Sequence, residues 1–289
     1  MNFKKWISVF IAAAVILTAA WVLLNVLVDP FGVFGDIALD YSEYSMTQNP
    51  RIAKIAYLDK NHEKYDSYIV GCSKTSSFST EALNRYFDAS FYNMIMYGGD
   101  LYDIEKTVEY ILENYEAKNI VVGIGLEEAQ KFNNDGDEFK ENLHAKLDPS
   151  QNLLAFYLKY LFLNPEYAKN KLTSYKNRGF LMTPNEVFVP ETGTYNKSRR
   201  DAAKIQKLDT YLSLNPDFQA NAWNSSLKDM DECVLAIERI KKMCDDNGTS
   251  FMLIACPVYE REMKCYNANE VKSYFEKIAE KTPFWNFSG

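Results

Sequence analysis

The sequence predicts an α/β fold, in which helices cover both faces of a sheet of about five parallel strands and one transmembrane helix precedes the sheet. Two observations lead to this prediction. Short, almost continuously apolar strands alternate with amphipathic helices, which is typical of parallel sheets that are buried on both faces. Ahead of them, residues 6–28 form an apolar run that is long enough to cross a bilayer.

The apolar run predicts a single-pass signal-anchor at residues 1–28. As a helix, a run of this length rises about 34 Å, which exceeds the hydrocarbon thickness of a bilayer. Lys4 and Lys5 precede it and acidic residues follow it, so the positive-inside bias predicts a cytoplasmic amino terminus and an extracytoplasmic main domain. The alternative is a signal peptide cleaved at about residues 18–20. We favour the anchor because the apolar run continues past that site.

The remaining chain divides into a predicted juxtamembrane linker at residues 29–47 and an α/β domain at residues 48–289. Proline and glycine residues interrupt regular structure in the linker. The strands are predicted at residues 67–70, 91–96, 119–124, 250–255 and 283–287. The helices are predicted at about residues 50–64, 80–87, 102–115, 151–162, 226–246 and 269–281. Residues 130–220 interrupt the alternation and are too long for a crossover, so we interpret them as a mostly helical and loop insertion near the carboxyl edge of the sheet.

Composition narrows the classes of partner. The formal net charge is −7 and there is no long basic run, so we expect no nucleic acid partner. The five cysteines form no C-x-x-C pair, and neither histidine, His62 or His144, lies in a metal-binding motif. We therefore predict no cofactor and no metal, although a site built from carboxylates alone stays open. Ser73-Lys74-Thr75 has the ending of a phosphate-binding loop without its glycines, so we predict no nucleotide.

The stretch Gly71-Cys72-Ser73-Lys74-Thr75 follows the first predicted strand. A strand that ends at a glycine and turns into a helix leaves its next side chains at the carboxyl edge of the sheet, where open α/β sheets bind ligands. Ser73 is a candidate nucleophile there, and its amide and that of Gly98 are candidate oxyanion donors. The alternative is a helix cap built from serine and threonine. Cys72 is a second candidate nucleophile, but a cysteine at a strand end is more often a buried apolar residue.

These residues resemble the motifs of a known superfamily. Gly71-Cys72-Ser73-Lys74-Thr75 resembles the G-x-S-[RK]-T block of SGNH/GDSL-type hydrolases, and Tyr92-Asn93 with Gly98 resembles their oxyanion-glycine block. The anchor and the helix opened by Asn49-Pro50 are similar to the membrane-anchored, cell-envelope branch, which includes alginate O-acetylation and teichoic acid D-alanyl transfer proteins. The resemblance implies a three-layer, flavodoxin-like fold in a protein of the bacterial cytoplasmic membrane.

The resemblance also implies an activity and a site. We expect a membrane-anchored, extracytoplasmic esterase or acyltransferase that acts on an ester-linked acyl group of a cell-envelope glycopolymer. Its partners would be the membrane and a polysaccharide or acyl donor. Ser73 would be the nucleophile and Gly98 an oxyanion amide. Lys74, Tyr97 and Glu127 would contact the substrate, with Glu127 standing where the family often has Asn or Asp.

One expected block is absent. The family takes its acid and base from an Asp-x-x-His motif after the fifth strand, but only Ser288 and Gly289 follow residues 283–287. A serine hydroxyl needs a base to become a competent nucleophile near neutral pH. We therefore expect a chain shortened at its carboxyl end and with little esterase activity. The alternative is a non-catalytic envelope protein whose degenerate SGNH domain binds a polysaccharide or an assembly partner.

Overall fold

The computed structural model describes residues 3–38, 49–133, 139, 141–176, 187–189, 191–196, 209 and 225–289, and it has the predicted α/β architecture. The strands are β1 (Ser67–Gly71), β2 (Phe91–Asn93), β3 (Asn119–Ile124), β4 (Val187–Val189), β5 (Thr194–Asn196), β6 (Ser250–Ala255) and β7 (Phe284–Asn286). The helices are α1 (Phe3–Val28), α2 (Pro50–Asn61), α3 (Thr80–Phe87), α4 (Leu101–Asn114), α5 (Leu153–Leu161), α6 (Pro165–Lys176), α7 (Met230–Asp246), α8 (Glu260–Met263) and α9 (Ala268–Lys281). Short 3-10 turns lie at His62–Lys64, Ser73–Ser77 and Glu127–Ala129.

Five strands form one parallel sheet in the order β2-β1-β3-β6-β7. The chain moves outward from β1 to β2 and then returns past β1 to β3. The order therefore reverses between β1 and β3, and open α/β sheets bind ligands at such a switch point, beyond the carboxyl ends of the strands. The prediction of five parallel strands is confirmed. Strand β2 ends at Asn93 and is shorter than predicted, and beyond it the Ile95 amide donates to the Asn93 side chain (2.8 Å).

Alternation along each strand fills the core on both faces of the sheet. On one face, Tyr68 and Val70 of β1 pack with apolar residues of α4, α7 and α9. On the other face, Ile69 packs with Phe91 and Val121 and with the partly buried side chains of α3. Strand β1 is buried along its whole length, so its carboxyl end is held rigidly where the candidate nucleophile follows.

Helix α1 is 26 residues long and apolar enough to cross a membrane. Its last two turns pack on α5 and α6. The Trp21 indole donates a hydrogen bond to the Leu163 carbonyl (2.8 Å), and the buried Asn25 amide donates to the Leu161 carbonyl (2.9 Å). The one strongly polar side chain of the apolar run thus binds backbone carbonyls at the end of α5.

The predicted linker begins as a packed segment. Phe31 and Val33 are buried against α5 and α6, where Phe31 contacts the rings of Tyr160 and Tyr167. Residues 39–47 of that linker lie outside the described residues. Of the predicted insertion, the structure describes α5, α6, the antiparallel hairpin of β4 and β5 and parts of the connections, and the rest also lies outside the described residues.

Candidate functional site

A cavity of about 240 Å³ lies at the carboxyl edge of the sheet, at the switch point between β1 and β3. Three loops line it, one after each of the first three strands of the chain. The lining residues are Cys72 and Ser73 after β1, Gly98, Gly99 and Asp100 after β2, and Glu127 and Glu128 after β3. The structure therefore brings the predicted Ser73, Gly98 and Glu127 to one cavity, with the Ser73 residue exposed.

Two glycines allow the Ser73 turn to lie close against the end of the sheet. Gly71 and Gly123 are register partners on β1 and β3. A Cβ atom on either glycine would lie 2.4 Å from Cγ2 of Thr75, so the Thr75 methyl occupies the space that their missing side chains leave. The Thr75 hydroxyl donates to the Cys72 carbonyl (2.8 Å), which fixes the turn with Ser73 at its start.

Asn93 joins the Ser73 turn to the loop that carries Gly98. Its Nδ2 donates to the Thr75 carbonyl (2.9 Å), while its Oδ1 accepts from the Ile95 amide. Below this loop, the buried Lys54 ammonium donates to the carbonyls of Asn93 (3.0 Å), Ile95 (3.1 Å) and Gly193 (2.7 Å). Lys54 thereby fastens the β4–β5 hairpin to the same loop. The sequence analysis placed Asn93 in a motif with Gly98 but predicted neither the Asn93 contact to Thr75 nor the Lys54 contacts, because these bonds join segments that are distant in sequence.

Gly98 adopts a left-handed backbone conformation, with φ of 64°. A Cβ atom at this position would clash with nothing, because its nearest neighbours, Glu141 Oε1 at 3.7 Å and Arg51 Nη2 at 3.9 Å, lie at ordinary van der Waals distances. The position therefore favours glycine for its backbone angle and not for space. Its assignment as an oxyanion amide stays a prediction.

A buried ion pair supports the loop after β2. Arg51 Nε lies 2.8 Å from Asp103 Oδ2, and the two side chains are 2% and 11% exposed. Asp100, which lines the cavity, caps α4 by accepting a hydrogen bond from the Asp103 amide (2.9 Å). Burial raises the pKa of Asp103 to about 7, the Arg51 guanidinium opposes this rise, and Asp100 adds to it.

Lys74 and Glu127, both predicted to contact substrate, contact each other. Lys74 Nζ lies 2.7 Å from Glu127 Oε2 and 3.5 Å from Glu262 Oε1 of α8. Burial works against the charge of Lys74, but the carboxylates of Glu127 and Glu262 leave its pKa raised. Burial likewise tends to raise the pKa of Glu127, yet the Lys74 ammonium outweighs it and lowers that pKa. Of this pair, Glu127 is the member that lines the cavity.

Glu128 is a buried acid that lines the cavity, and the sequence analysis assigned it no role. Its Oε2 accepts from the Gly125 amide (2.9 Å), its Oε1 is buried, and the Cys72 thiol is a side-chain hydrogen-bond partner of the carboxyl group. Burial, and then the Glu127 carboxylate, raise the pKa of Glu128. Burial and the adjacent Glu128 carboxyl raise the pKa of the Cys72 thiol well above its usual value. That thiol is therefore poorly suited to nucleophilic attack.

The other predicted residues lie beside or away from the cavity. Tyr97 packs its ring against Tyr195 of the hairpin (5.2 Å between centroids) and is not part of the cavity lining. His62 stacks on Tyr115, before β3 and at the amino edge of the sheet. His144 is buried, and burial, followed by the Lys146 ammonium, lowers its pKa to about 4. Neither histidine of the chain lines the cavity.

The described part of the chain contains no group of three or more His, Cys, Asp or Glu side chains that could hold a metal ion. All five cysteines are buried and none is joined to another.

The fold and the cavity define a class of protein. The chain is an α/β protein with a parallel five-stranded sheet, a cavity at its switch point and an amino-terminal helix that could span a membrane. No family model, no curated protein and no solved structure matches this chain. Any narrower assignment therefore depends on the motifs at Ser73 and Gly98 and on the geometry around them.

Proposed function

We propose that this chain is a membrane-anchored, extracytoplasmic SGNH-type esterase or acyltransferase acting on an ester-linked acyl group of a cell-envelope glycopolymer. The observation that carries the proposal is that Ser73 and Gly98, predicted as nucleophile and oxyanion donor, line the same cavity at the switch point of the sheet. The length and apolar composition of α1 support the proposed membrane anchoring. Lys4 and Lys5 in its first turn support an orientation with the amino terminus in the cytoplasm.

The proposed reaction begins with attack of Ser73 Oγ on the ester carbonyl carbon. The hydroxyl proton passes to a base, a C–O bond to the serine forms, and the bond to the leaving alcohol breaks after that oxygen receives a proton. The amides of Ser73 and Gly98 would stabilise the oxyanion, and a fixed donor of this kind contributes about 3 kcal/mol. The acyl group then moves from Ser73 to water or to an acceptor hydroxyl.

We assign the role of the base to Glu128, a carboxyl group that lines the same cavity as Ser73. It is a carboxyl whose pKa is raised, and a raised pKa makes the ionised form a stronger base near neutral pH. In the resting cavity the Cys72 thiol is a hydrogen-bond partner of this carboxyl group, so proton transfer from Ser73 would require the carboxylate to exchange that contact. A carboxylate in place of the expected histidine predicts slow turnover, which agrees with the low activity expected from the sequence.

Hydrolysis of p-nitrophenyl acetate by the full chain tests this proposal. We expect slow turnover that Ser73→Ala abolishes and that Glu128→Gln lowers by about a hundredfold or more. The matched control is Ser77→Ala, an exposed serine of the same turn whose hydroxyl donates to the Lys74 carbonyl (3.0 Å), and this variant should retain activity. Equal rates for the wild type and Ser73→Ala would overturn the enzymatic proposal.

A second candidate is a non-catalytic envelope protein that binds a polysaccharide or an assembly partner through the same cavity. The observation that favours it is the position of His62 and His144, both away from Ser73. This candidate predicts that glycopolymer fragments bind to the wild type and to Ser73→Ala with the same affinity and without turnover in either. Calorimetric titration of both variants separates it from the enzyme, for which only turnover depends on Ser73.

A further inference from the structure

A groove of about 300 Å³ lies between the end of α1 and the outer face of α6. Leu24, Pro165, Ala168 and Leu172 give it an apolar floor, and polar residues of α6 (Lys169, Thr173 and Lys176) complete its lining. We propose that this groove binds an anionic phospholipid of the bilayer, with an acyl chain along the floor and the phosphate near the two lysines. The inference rests on the proposed anchoring of α1 in a membrane.

The groove lies where α1 would leave the hydrocarbon. From Lys5 to Asn25 a helix rises about 30 Å, which is the thickness of the hydrocarbon core. Leu24 is therefore near the boundary with the headgroups, together with Trp21, a residue type enriched at that boundary. The hydrogen bonds from Trp21 and Asn25 hold α5 and α6 at the same level.

An apolar surface continues from this end of α1 onto α5. The Phe162 ring meets the Trp21 ring edge-on, with centroids 6.5 Å apart. Leu154 and Leu158, one helical turn apart on α5, are 69% and 44% exposed. A surface of this kind beside a membrane-spanning helix is what an interfacial helix presents to lipid.

The lysines of the groove select for negative charge. Lys169 and Lys176 are two turns apart on one face of α6, both are exposed, and neither has an acidic partner among the described residues. Lys171, on the opposite face, is buried and paired with Asp36. An apolar floor with two free ammonium groups at the membrane boundary matches an acyl chain attached to a phosphate, and it matches a neutral lipid less well.

Photo-crosslinking of the full chain in bilayer nanodiscs tests the proposal. The probe is phosphatidylglycerol with a diazirine in its acyl chain, and the adducts are mapped by peptide mass spectrometry. We expect adducts on Leu24 and Leu172 that unlabelled phosphatidylglycerol displaces better than phosphatidylcholine does. Lys169→Gln with Lys176→Gln should lower labelling about 25-fold, because each lysine near an anionic surface contributes about fivefold.

Two controls make the result specific to the groove. Lys228→Gln with Lys272→Gln removes the same charge from exposed sites on other elements and should leave labelling unchanged. Leu172→Glu should abolish labelling, whereas Leu235→Glu, at an exposed leucine of α7 (45%, against 41% for Leu172), should not. Labelling that is equal with both lipids, or that survives Leu172→Glu, would overturn the proposal. Crosslinked dimers joined through Leu172 would also overturn it and identify a second copy as the occupant.

The anchoring is measured separately. Extraction of membranes with alkaline carbonate reports whether α1 is inserted, and the groove variants should not change that result. Loss of the protein into the carbonate supernatant would refute the anchoring. Retention in the membrane without groove labelling would refute only the lipid site.

Discussion

The contact between Thr75 and the two glycines beneath it predicts different outcomes for two similar substitutions. A Cβ at Gly123 would lie 2.4 Å from Cγ2 of Thr75, and its next neighbours, Cys256 Sγ and Phe78 Cε2, are 3.3 and 3.4 Å away. The severe clash of Gly123→Ala is therefore with one methyl group. Overpacking of this kind lowers the free energy of unfolding by about 1–3 kcal/mol.

Removal of that methyl should relieve the clash. Thr75→Ser keeps the hydroxyl that bonds the Cys72 carbonyl and deletes Cγ2, which by itself costs about 1 kcal/mol for a buried methyl. In Gly123→Ala with Thr75→Ser the new methyl fills the space of the old one. We expect this double variant to be within about 1 kcal/mol of the wild type, which gives a coupling energy of about 1–3 kcal/mol.

Gly71→Ala should not be rescued in this way. Its Cβ would also lie 2.6 Å from the Gly123 carbonyl oxygen, a backbone atom held within the β3 ladder. Thr75→Ser removes the methyl clash but leaves the carbonyl clash. The double variant should therefore stay at least about 1 kcal/mol less stable than Thr75→Ser alone.

Thermal unfolding of the full chain in one detergent, followed by circular dichroism, measures both cycles. A loss of 1 kcal/mol corresponds to a decrease of roughly 2–4 °C in Tm for a domain of this size. The backbone angles at Gly71 and Gly123 are ordinary, so strain at the substituted residue does not enter the comparison. Equal rescue of both glycine substitutions, or a neutral Gly123→Ala, would refute the packing argument.

Three further predictions concern buried charges and thiols. Arg51→Met should lower the free energy of unfolding by about 3–5 kcal/mol at pH 8, as measured by chemical unfolding, because it leaves the buried Asp103 carboxylate without its ion-pair partner. The control is Arg85→Met, which breaks an exposed ion pair with Glu81 and should lower the free energy of unfolding by less than about 0.5 kcal/mol in the same assay. The pKa of Asp103 is about 7 in the folded protein and 3.8 in the unfolded chain, so its contribution to stability is full below about pH 4 and is lost as the pH rises through 7. Asp103→Asn should therefore reduce the dependence of the free energy of unfolding on pH between about pH 4 and 7. An unchanged slope in that range would contradict the raised pKa. All five cysteines are buried, so a thiol reagent should react only after unfolding, and rapid labelling of the native chain would contradict the packing around them.

Much of the fold could be predicted because its signals are local. Strand β3 and helix α3 have the predicted bounds, since an apolar β-branched run and a serine cap act over a few neighbouring residues. The meeting of Ser73 and Gly98 also follows from local patterns, because adjacent parallel strands place their carboxyl ends on one edge. Strand β2 was predicted too long, because the apolar run continues to Met96 while the regular strand ends at Asn93.

The sequence does not show which of Glu127 and Glu128 is buried. The two acids are adjacent, and the conformation of the 3-10 turn that contains them determines which side chain points into the protein interior. Glu128 turns inward to the Gly125 amide, while Glu127 reaches the Lys74 ammonium from a distant loop. The same holds for Lys54, whose three carbonyl partners come from two separate segments.

The sequence by itself determined the α/β class, the membrane-spanning length of α1 and the edge of the sheet where the candidate nucleophile lies. Each of these depends on periodicity, composition or the direction of parallel strands. Only the tertiary structure decided that Glu128 is buried in the lining of the cavity and that α1 ends against α5 and α6 beside an apolar groove. Those features arise from contacts between residues far apart in the chain, and such contacts are fixed by packing and burial, which local sequence patterns do not specify.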